Sequence, residues 1–236
     1  MTSPTGPVLY LSGVSKDYRG LRPLRIANLT VLPGEHIAIL GLDAIAAEVF
    51  VNLVTGATLP DRGDVQLFGR STTAITDSAD WLALVDRCGI VSPRAVLLDG
   101  LTVVQNLAIP FTLEIEPPSD DTRRRAVALA RLVGLADASL DRLVAEIGPS
   151  GRARVRLGRA LAADPALVLL EHPTAEIPRE DVTALGAQCR GVTAATIALT
   201  ADPEFAAAVA GRCLTLDAAT GRLAERSGWF SRLRRG

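Results

Sequence analysis

Five consecutive apolar residues, ALVLL at positions 166–170, constrain the fold of this chain more than any other feature. A run of this length without polar alternation predicts a strand that is buried on both faces of a parallel sheet. It follows a strongly patterned helix, predicted over residues 152–163, which the Asp164–Pro165 pair ends. A helix that leads directly into such a strand favours an α/β fold.

A second constraint lies nearer the N-terminus, where a strand, a glycine and a helix follow one another. The strand is predicted over residues 36–40, the glycine is Gly41, and the helix is predicted over residues 44–54. This succession opens many nucleotide-binding α/β proteins. The two constraints together predict an α/β fold with a parallel sheet at its centre.

Shorter segments complete the pattern. Further strands are predicted over residues 8–14, 24–31, 64–68, 89–91, 196–199 and 212–216, and further helices over 81–87, part of 97–111, 122–133 and 203–211. Residues 116–121 form the clearest internal linker, in which Ser119 or Asp120 caps the next helix. We expect one domain over residues 1–225, with a helical subdomain at about 95–155 and a basic, aromatic tail over 226–236.

Composition excludes several classes of function. The formal net charge of -1 gives no net attraction to nucleic acid, which we do not expect as a partner. The N-terminus lacks the features of a secretory signal, and no uncharged run is long enough to span a membrane. Three widely spaced cysteines indicate neither a disulfide framework nor a metal site, and they favour a reducing compartment. Lys16 is the only lysine, and His36 and His172 are the only histidines.

Residues 154–174 read RVRLGRALAADPALVLLEHPT. This stretch resembles the one that joins the signature helix to the Walker B strand in ATP-binding cassette (ABC) transporter ATPases. Residues 29–41, 63–69 and 101–106 are similar to further motifs of that family, and the resemblance covers roughly residues 8–224. It implies a P-loop NTPase-like ABC ATPase fold, in which a mixed core sheet is flanked by helices and accompanied by an antiparallel β subdomain and an α-helical subdomain.

The resemblance places the phosphate loop, or Walker A motif, at residues 41–49. The family pattern there is G-x-x-G-x-G-K-[ST]-T, whose glycines and lysine hold the phosphates and whose hydroxyl ligates magnesium. Ala44 and Ala46 replace two glycines, Ala47 replaces the lysine, and Glu48 replaces the hydroxyl. The added Cβ atoms crowd the nest of N–H groups, and the Glu48 carboxylate opposes a negative triphosphate. The degenerate Walker A positions that we assign to a nucleotide site are Gly41, Asp43, Ala44, Ala46, Ala47, Glu48 and Val49.

The other catalytic motifs of the family are also altered. The Walker B Asp-Glu pair reads Glu171-His172, which keeps one carboxylate for magnesium but replaces the one that polarises the attacking water. Pro93 stands at the Q-loop glutamine, and Ala201 stands at the H-loop histidine. The resemblance thus assigns four catalytic positions and leaves none with its usual residue.

The nucleotide-binding motifs of the family are only partly retained. The signature L-S-G-G-Q reads IGPSG at residues 147–151, which retains Gly148, Ser150 and Gly151 at a helix N-terminus. Pro149 removes one N–H donor, and the serine is displaced by two places. Tyr18 is the candidate for the aromatic residue that stacks on adenine, with an ordinary exposed loop tyrosine as the alternative.

The resemblance implies a cassette-like subunit that does not hydrolyse ATP and that serves as a non-catalytic partner in a membrane transport complex. The expected partners are a transporter permease subunit, docked near residues 93–115, and another ABC ATPase subunit in a homodimer or heterodimer. We expect a cytoplasmic protein, peripheral on the inner face of the cell membrane. We expect no cofactor and no metal, with ATP and Mg²⁺ bound only if residual affinity persists.

Two alternatives stay open at this point. One is a soluble regulatory or scaffold pseudo-ATPase. The other is an ATPase with unconventional residues, in which Glu48 or Glu171 holds the metal. The tail at residues 229–235 suits contact with a membrane surface, and a frayed C-terminal extension is its alternative interpretation.

Overall fold

The structure is a computed structural model that describes residues 6–225. Its strands are β1 (Leu9–Lys16), β2 (Leu24–Val31), β3 (His36–Leu40), β4 (Arg62–Leu67), β5 (Arg70–Ser71), β6 (Cys88–Val91), β7 (Leu167–Glu171), β8 (Ala195–Leu199), β9 (Arg212–Asp217) and β10 (Arg222–Glu225). Its α-helices are α1 (Ala44–Val54), α2 (Ser78–Val85), α3 (Val103–Ala108), α4 (Asp120–Leu132), α5 (Gly148–Leu161), α6 (Arg179–Arg190) and α7 (Pro203–Val209). The predicted tail over residues 226–236 lies outside the described residues.

The central sheet has the strand order β10-β9-β3-β8-β7-β6. Strands β9, β3, β8, β7 and β6 are parallel, and β10 joins the edge antiparallel to β9. Every residue of β7 and β8 is buried, which confirms the prediction from the apolar run. The sheet is therefore mixed, and two of its interior strands, β7 and β8, are covered on both faces.

Alternate residues of β7 belong to two different cores. Leu167 and Leu169 pack on the side of α1 and of a second, antiparallel sheet with the order β2-β1-β4-β5. Val168 and Leu170 pack on the opposite side, against α3 to α7. This division follows from the alternation of side chains along a strand. The predicted α/β fold, with a helix-flanked mixed sheet, an antiparallel β part and a helical part, is confirmed.

Several predicted elements have different bounds in the structure. The bounds of β2, β3 and α1 are as predicted, whereas α5 begins at Gly148 rather than at residue 152. The earlier start is possible because Pro149 lies in the first turn, where its missing N–H group breaks no helical hydrogen bond. Helix α6 and the short strands β5 and β10 were not predicted. The limits of 95–155 for a helical subdomain stay a prediction.

The topology gathers the predicted site at one edge of the central sheet. The residues that follow β3, β6, β7 and β8 begin at positions 41, 92, 172 and 200, and parallel strands present their carboxyl ends at the same edge. In the described part of the chain, no helix has the length and apolar character needed to cross a membrane.

Candidate functional site

The predicted phosphate loop is the first turn of helix α1. The helix begins at Ala44, and the Asp43 carboxylate caps it by accepting a hydrogen bond of 2.8 Å from the Ala46 amide. The Ala47 amide donates to the Asp43 carbonyl oxygen at 2.9 Å. Helix N-termini bind anions because their first N–H groups lack partners in the helix. Here a carboxylate of the chain itself occupies that position.

The local backbone requires a glycine at position 41. Its φ angle of 97° lies in the left-handed region, and a Cβ atom there would come within 3.0 Å of the Leu216 carbonyl oxygen. Only glycine meets both demands without strain. Ala46 and Ala47 are buried, and both belong to the core that includes Phe50. The position of the family lysine is therefore part of the packed core.

Arg94 joins two acidic residues of the predicted site. Its Nη2 atom donates to Oε2 of Glu171 at 2.7 Å, and its Nη1 atom forms an ion pair with Oε2 of Glu48. The Glu171 side chain is only 4% exposed, whereas those of Arg94 and Glu48 are each 45% exposed. A buried carboxylate requires a counter-charge, and Arg94 supplies it.

Ser92 helps to orient Arg94. Its Oγ atom accepts hydrogen bonds from the Arg94 backbone amide at 3.2 Å and from Nε at 3.3 Å. All three guanidinium nitrogens therefore have a partner. The sequence analysis assigned the neighbouring Pro93 to the site and missed Arg94. Arg94 could have been predicted as a site residue because it is a cation next to the Q-loop position, in a site with two carboxylates.

Pro93 and His172 lie on the wall of one small cavity of about 20 Å³, together with Pro149 from the first turn of α5. His172 has a φ angle of 40°, and its backbone amide donates to Leu199. Its Nε2 atom is buried without a hydrogen-bond partner among the described residues. The structure thus brings together residues that the sequence assigned to the Q-loop, Walker B and signature motifs.

Among the predicted signature residues, Ser150 forms a hydrogen bond within the chain. The Ser150 hydroxyl donates to Oδ2 of Asp181 in α6 at 2.5 Å. Gly148 has a φ angle of 66° at the start of α5, where the backbone enters the helix. Gly151 lies one residue after Ser150, in the same first turn.

Tyr18 and Ala201 do not line the cavity that Pro93 and His172 share. Tyr18 is partly buried and packs against the core on the α1 side, with Gly20 against its ring. Ala201 is exposed just after β8, and Asp202 next to it caps α7 through the amides of Glu204 and Phe205. Val49 is partly buried against the same core as Tyr18. Their assignment to a nucleotide site stays a prediction.

A sequence profile described as "ABC transporter" matches residues 24–175, which is more than half of the chain. The chain belongs to the ABC transporter family. The match begins at β2 and ends just beyond Glu171 and His172. The family and fold expected from the sequence are therefore confirmed.

Curated relatives of this ABC protein include ATP-binding proteins of two transport systems. The methionine import ATP-binding protein MetN of Brucella abortus is 26% identical over 217 residues, which cover 90% of this chain and 58% of MetN. The lipoprotein-releasing system ATP-binding protein LolD of Pseudomonas fluorescens is 32% identical over 161 residues, which cover 68% of this chain and 69% of LolD. The chain thus spans less than two thirds of the length of MetN.

Among solved structures, CbiO1 from Clostridium perfringens, described as part of the ABC transporter complex CbiONQ, matches with a TM-score of 0.75. The match covers 93% of this chain and 87% of CbiO1 at 19% sequence identity. Identity at this level shows a shared fold. The chemistry of this ABC protein therefore follows from its own residues and not from the match.

The residues present do not fit the magnesium–triphosphate group that the ABC family implies. The Asp43 carboxylate occupies the helix N-terminus, and the Arg94 guanidinium lies between the two carboxylates assigned to metal. Among residues 6–225, no cluster of three or more His, Cys, Asp or Glu is arranged to hold a metal ion. Anion and cation positions of the site are both taken by side chains of the chain.

Proposed function

We propose that this chain is a non-catalytic ATP-binding-cassette subunit of a membrane transport complex and that it does not hydrolyse ATP. The observation that carries the proposal is the Asp43 cap on α1, because it uses the amide of Ala46 and places negative charge where phosphates bind in this family. Two unit charges of like sign about 4 Å apart repel by about 4 kcal/mol near a protein surface. Triphosphate binding would first have to displace Asp43.

Transition-state stabilisation is absent from the assigned positions. Phosphoryl transfer depends on fixed cations and a positioned base, which act on the charge of the transferring group. Ala47 and Ala201 carry no polar side-chain group, and Pro93 carries no amide. An ATPase that holds metal through Glu48 or Glu171 is disfavoured, because both carboxylates pair with Arg94.

Partnership with a permease is compatible with exposed apolar residues in the predicted docking region. Val96, Leu98 and Leu113 are 73%, 44% and 91% exposed. Apolar side chains that form a contiguous exposed patch are typical of interaction sites. We propose a peripheral location on the inner face of the membrane and a second cassette, of the same or another sequence, as partner. The roles of MetN and LolD as ATP-binding proteins of transport systems agree with this assignment.

The activity is tested by calorimetric titration with Mg·ATP and by a phosphate-release assay on the same preparation. We expect no binding heat at millimolar nucleotide and no phosphate release above a no-protein control. A competent ABC ATPase assayed in parallel verifies the conditions. Turnover that disappears when Glu48 and Glu171 are both changed to alanine would contradict the proposal and support an unconventional ATPase.

The partnership is tested by affinity isolation of the full-length chain from its host in detergent. We expect a permease or a second cassette to co-purify in stoichiometric amounts. Isolation with non-membrane partners alone would overturn the transporter assignment and favour a regulatory scaffold.

A further inference from the structure

Residues 92–99, which we call the bridging segment, are held on one side by three arginines of α5. Arg152 Nη1 lies 2.6 Å from Oδ1 of Asp99. Arg156 Nε donates to the Ala95 carbonyl oxygen at 3.2 Å. Arg159 Nη1 donates to the Val96 carbonyl oxygen at 2.8 Å. These residues lie at intervals of three or four along one helix, so they face the segment together.

On its other side, Arg94 is the only residue of the bridging segment that forms ion pairs with the sheet and with α1. Arg94 reaches Glu171 at the end of β7 and Glu48 in α1, while Ser92 fixes the start of the segment. These contacts bind the segment to the central sheet, and the α5 arginines bind it to the helical part of the fold. The segment therefore connects the central sheet, through Arg94, to the helical part of the fold, through the α5 arginines.

The carboxylates of Glu48 and Glu171 restrict the position of the Arg94 guanidinium. Glu48 and Glu171 carry like charges and both approach the same cation, so each would repel the other without it. The burial of Glu171 strengthens its demand for a counter-charge. A planar guanidinium with donors on two nitrogens is suited to pairing with two carboxylates at once.

We propose that Arg94 is a built-in counter-ion that takes the place of the metal–nucleotide group and fastens the bridging segment to the sheet in one nucleotide-independent arrangement. The inference rests on the proposed function, since it requires that Mg·ATP does not compete for the site. Its consequence is that the exposed side of the segment, with Val96 and Leu98, presents the same surface to a partner whether or not ATP is present.

Hydrogen exchange on the full chain tests the proposal. We expect the amides of the bridging segment to be protected in the wild type and to exchange at least about 10-fold faster in Arg94→Ala. Arg123→Ala is the matched control, because Arg123 is 43% exposed and pairs with one carboxylate, Asp141, at 2.9 Å. That variant is expected to leave the bridging segment unchanged. Millimolar Mg·ATP is expected to leave the wild-type pattern unchanged.

Two results would overturn the proposal: an Arg94→Ala variant with wild-type exchange in the segment, or wild-type exchange that responds to Mg·ATP. If Arg94→Ala does not fold, Glu48→Gln serves instead, since it removes one charge and is expected to raise exchange in the segment by a smaller factor. Affinity isolation and hydrogen exchange together separate the two proposals. Isolation with non-membrane partners alone, combined with Arg94-dependent, ATP-independent protection, would refute only the proposed function, whereas isolation with a permease and no turnover, combined with Arg94-independent exchange, would refute only this inference.

Discussion

Arg94 and Glu171 form an ion pair with Nη2 and Oε2 2.7 Å apart, although 77 positions separate them along the chain. The same guanidinium pairs with Glu48, so one arginine connects α1, β7 and the segment between β6 and α3. The position assigned to a metal and its nucleotide is thereby filled by the chain itself. Each consequence of this arrangement leads to a measurement.

The two ion pairs of Arg94 differ in strength. In double-mutant cycles with Arg94→Ala, we expect a coupling of about 1–3 kcal/mol with Glu171→Gln, because that carboxylate is buried. Coupling with Glu48→Gln is expected to stay below about 1 kcal/mol, since both partners are 45% exposed. Urea unfolding of the single and double variants provides the values. Equal couplings in the two cycles would show that burial of Glu171 does not set the strength of the pair.

Removal of Arg94 is expected to create a response to divalent cations. Without the guanidinium, Glu48 and Glu171 repel each other, and carboxylate oxygens are good ligands for Mg²⁺ and Mn²⁺. We expect millimolar Mn²⁺ to raise the melting temperature of Arg94→Ala by about 2–4 °C and to leave the wild type unchanged. The Arg94→Ala/Glu171→Gln double variant is the control and is expected to lose the response. A shift of the same size in all three proteins would contradict the expectation.

The cap of α1 is expected to stabilise the fold at the predicted phosphate site. Asp43→Ala removes the acceptor for the Ala46 amide, and we expect a loss of about 1 kcal/mol in the free energy of unfolding. Asp43→Asn keeps an acceptor without the charge, so its expected loss is smaller. Chemical denaturation measures both. If both substitutions leave stability at the wild-type value, the Asp43 side chain does not cap the helix in solution.

The cysteines are expected to be unreactive in the folded protein. Burial raises the pKa of Cys88 and of Cys189 to about 12, so at pH 8 their thiols carry almost no thiolate. Cys189 and Cys213 are buried, and Cys88 is partly buried. Titration with a chromogenic disulfide reagent is expected to detect almost no thiol in the native protein and three after unfolding in urea. Rapid native labelling of Cys88 or Cys189, located by mass spectrometry, would contradict the expected lack of reactivity.

His36 is expected to make stability depend on pH. Burial, and secondarily the charge of Arg190, lowers the pKa of His36 below its ordinary value of 6.5. The neutral form is therefore favoured on folding, so its contribution is present above pH 6.5 and is lost as the pH falls through the lowered pKa. In urea unfolding from pH 7.5 downwards, the wild type is expected to lose stability more steeply than His36→Asn.

The comparison with His36→Asn isolates one group. The other titratable groups are the same in both proteins, so their effects cancel in the difference between them. The aspartates with lowered pKa values, among them Asp61 and Asp64, lose their contributions below their ordinary value of 3.8, outside this window. Parallel pH profiles for the two proteins would assign the pH dependence to other groups.

Local patterns in the sequence were sufficient to predict the fold. The bounds of β2, β3 and α1 follow from residues that are neighbours along the chain, and β7 follows from its unbroken apolar run. The Asp43 cap could also have been predicted from the sequence, since an aspartate directly before a predicted helix is a usual capping signal. Helix α6 was missed although Glu180 and Asp181 occupy its first turn and Arg190 its last.

The sequence by itself determined the α/β fold and the family, because each is encoded in short contiguous stretches. The replacements at the Walker A, Walker B, Q-loop and H-loop positions stay a prediction from the resemblance. Only the tertiary structure decided that Glu48 and Glu171 share one cation and that Arg94 is that cation. Ion pairing depends on distances of a few ångströms between atoms, and parallel-strand topology sets those distances for residues far apart in the chain.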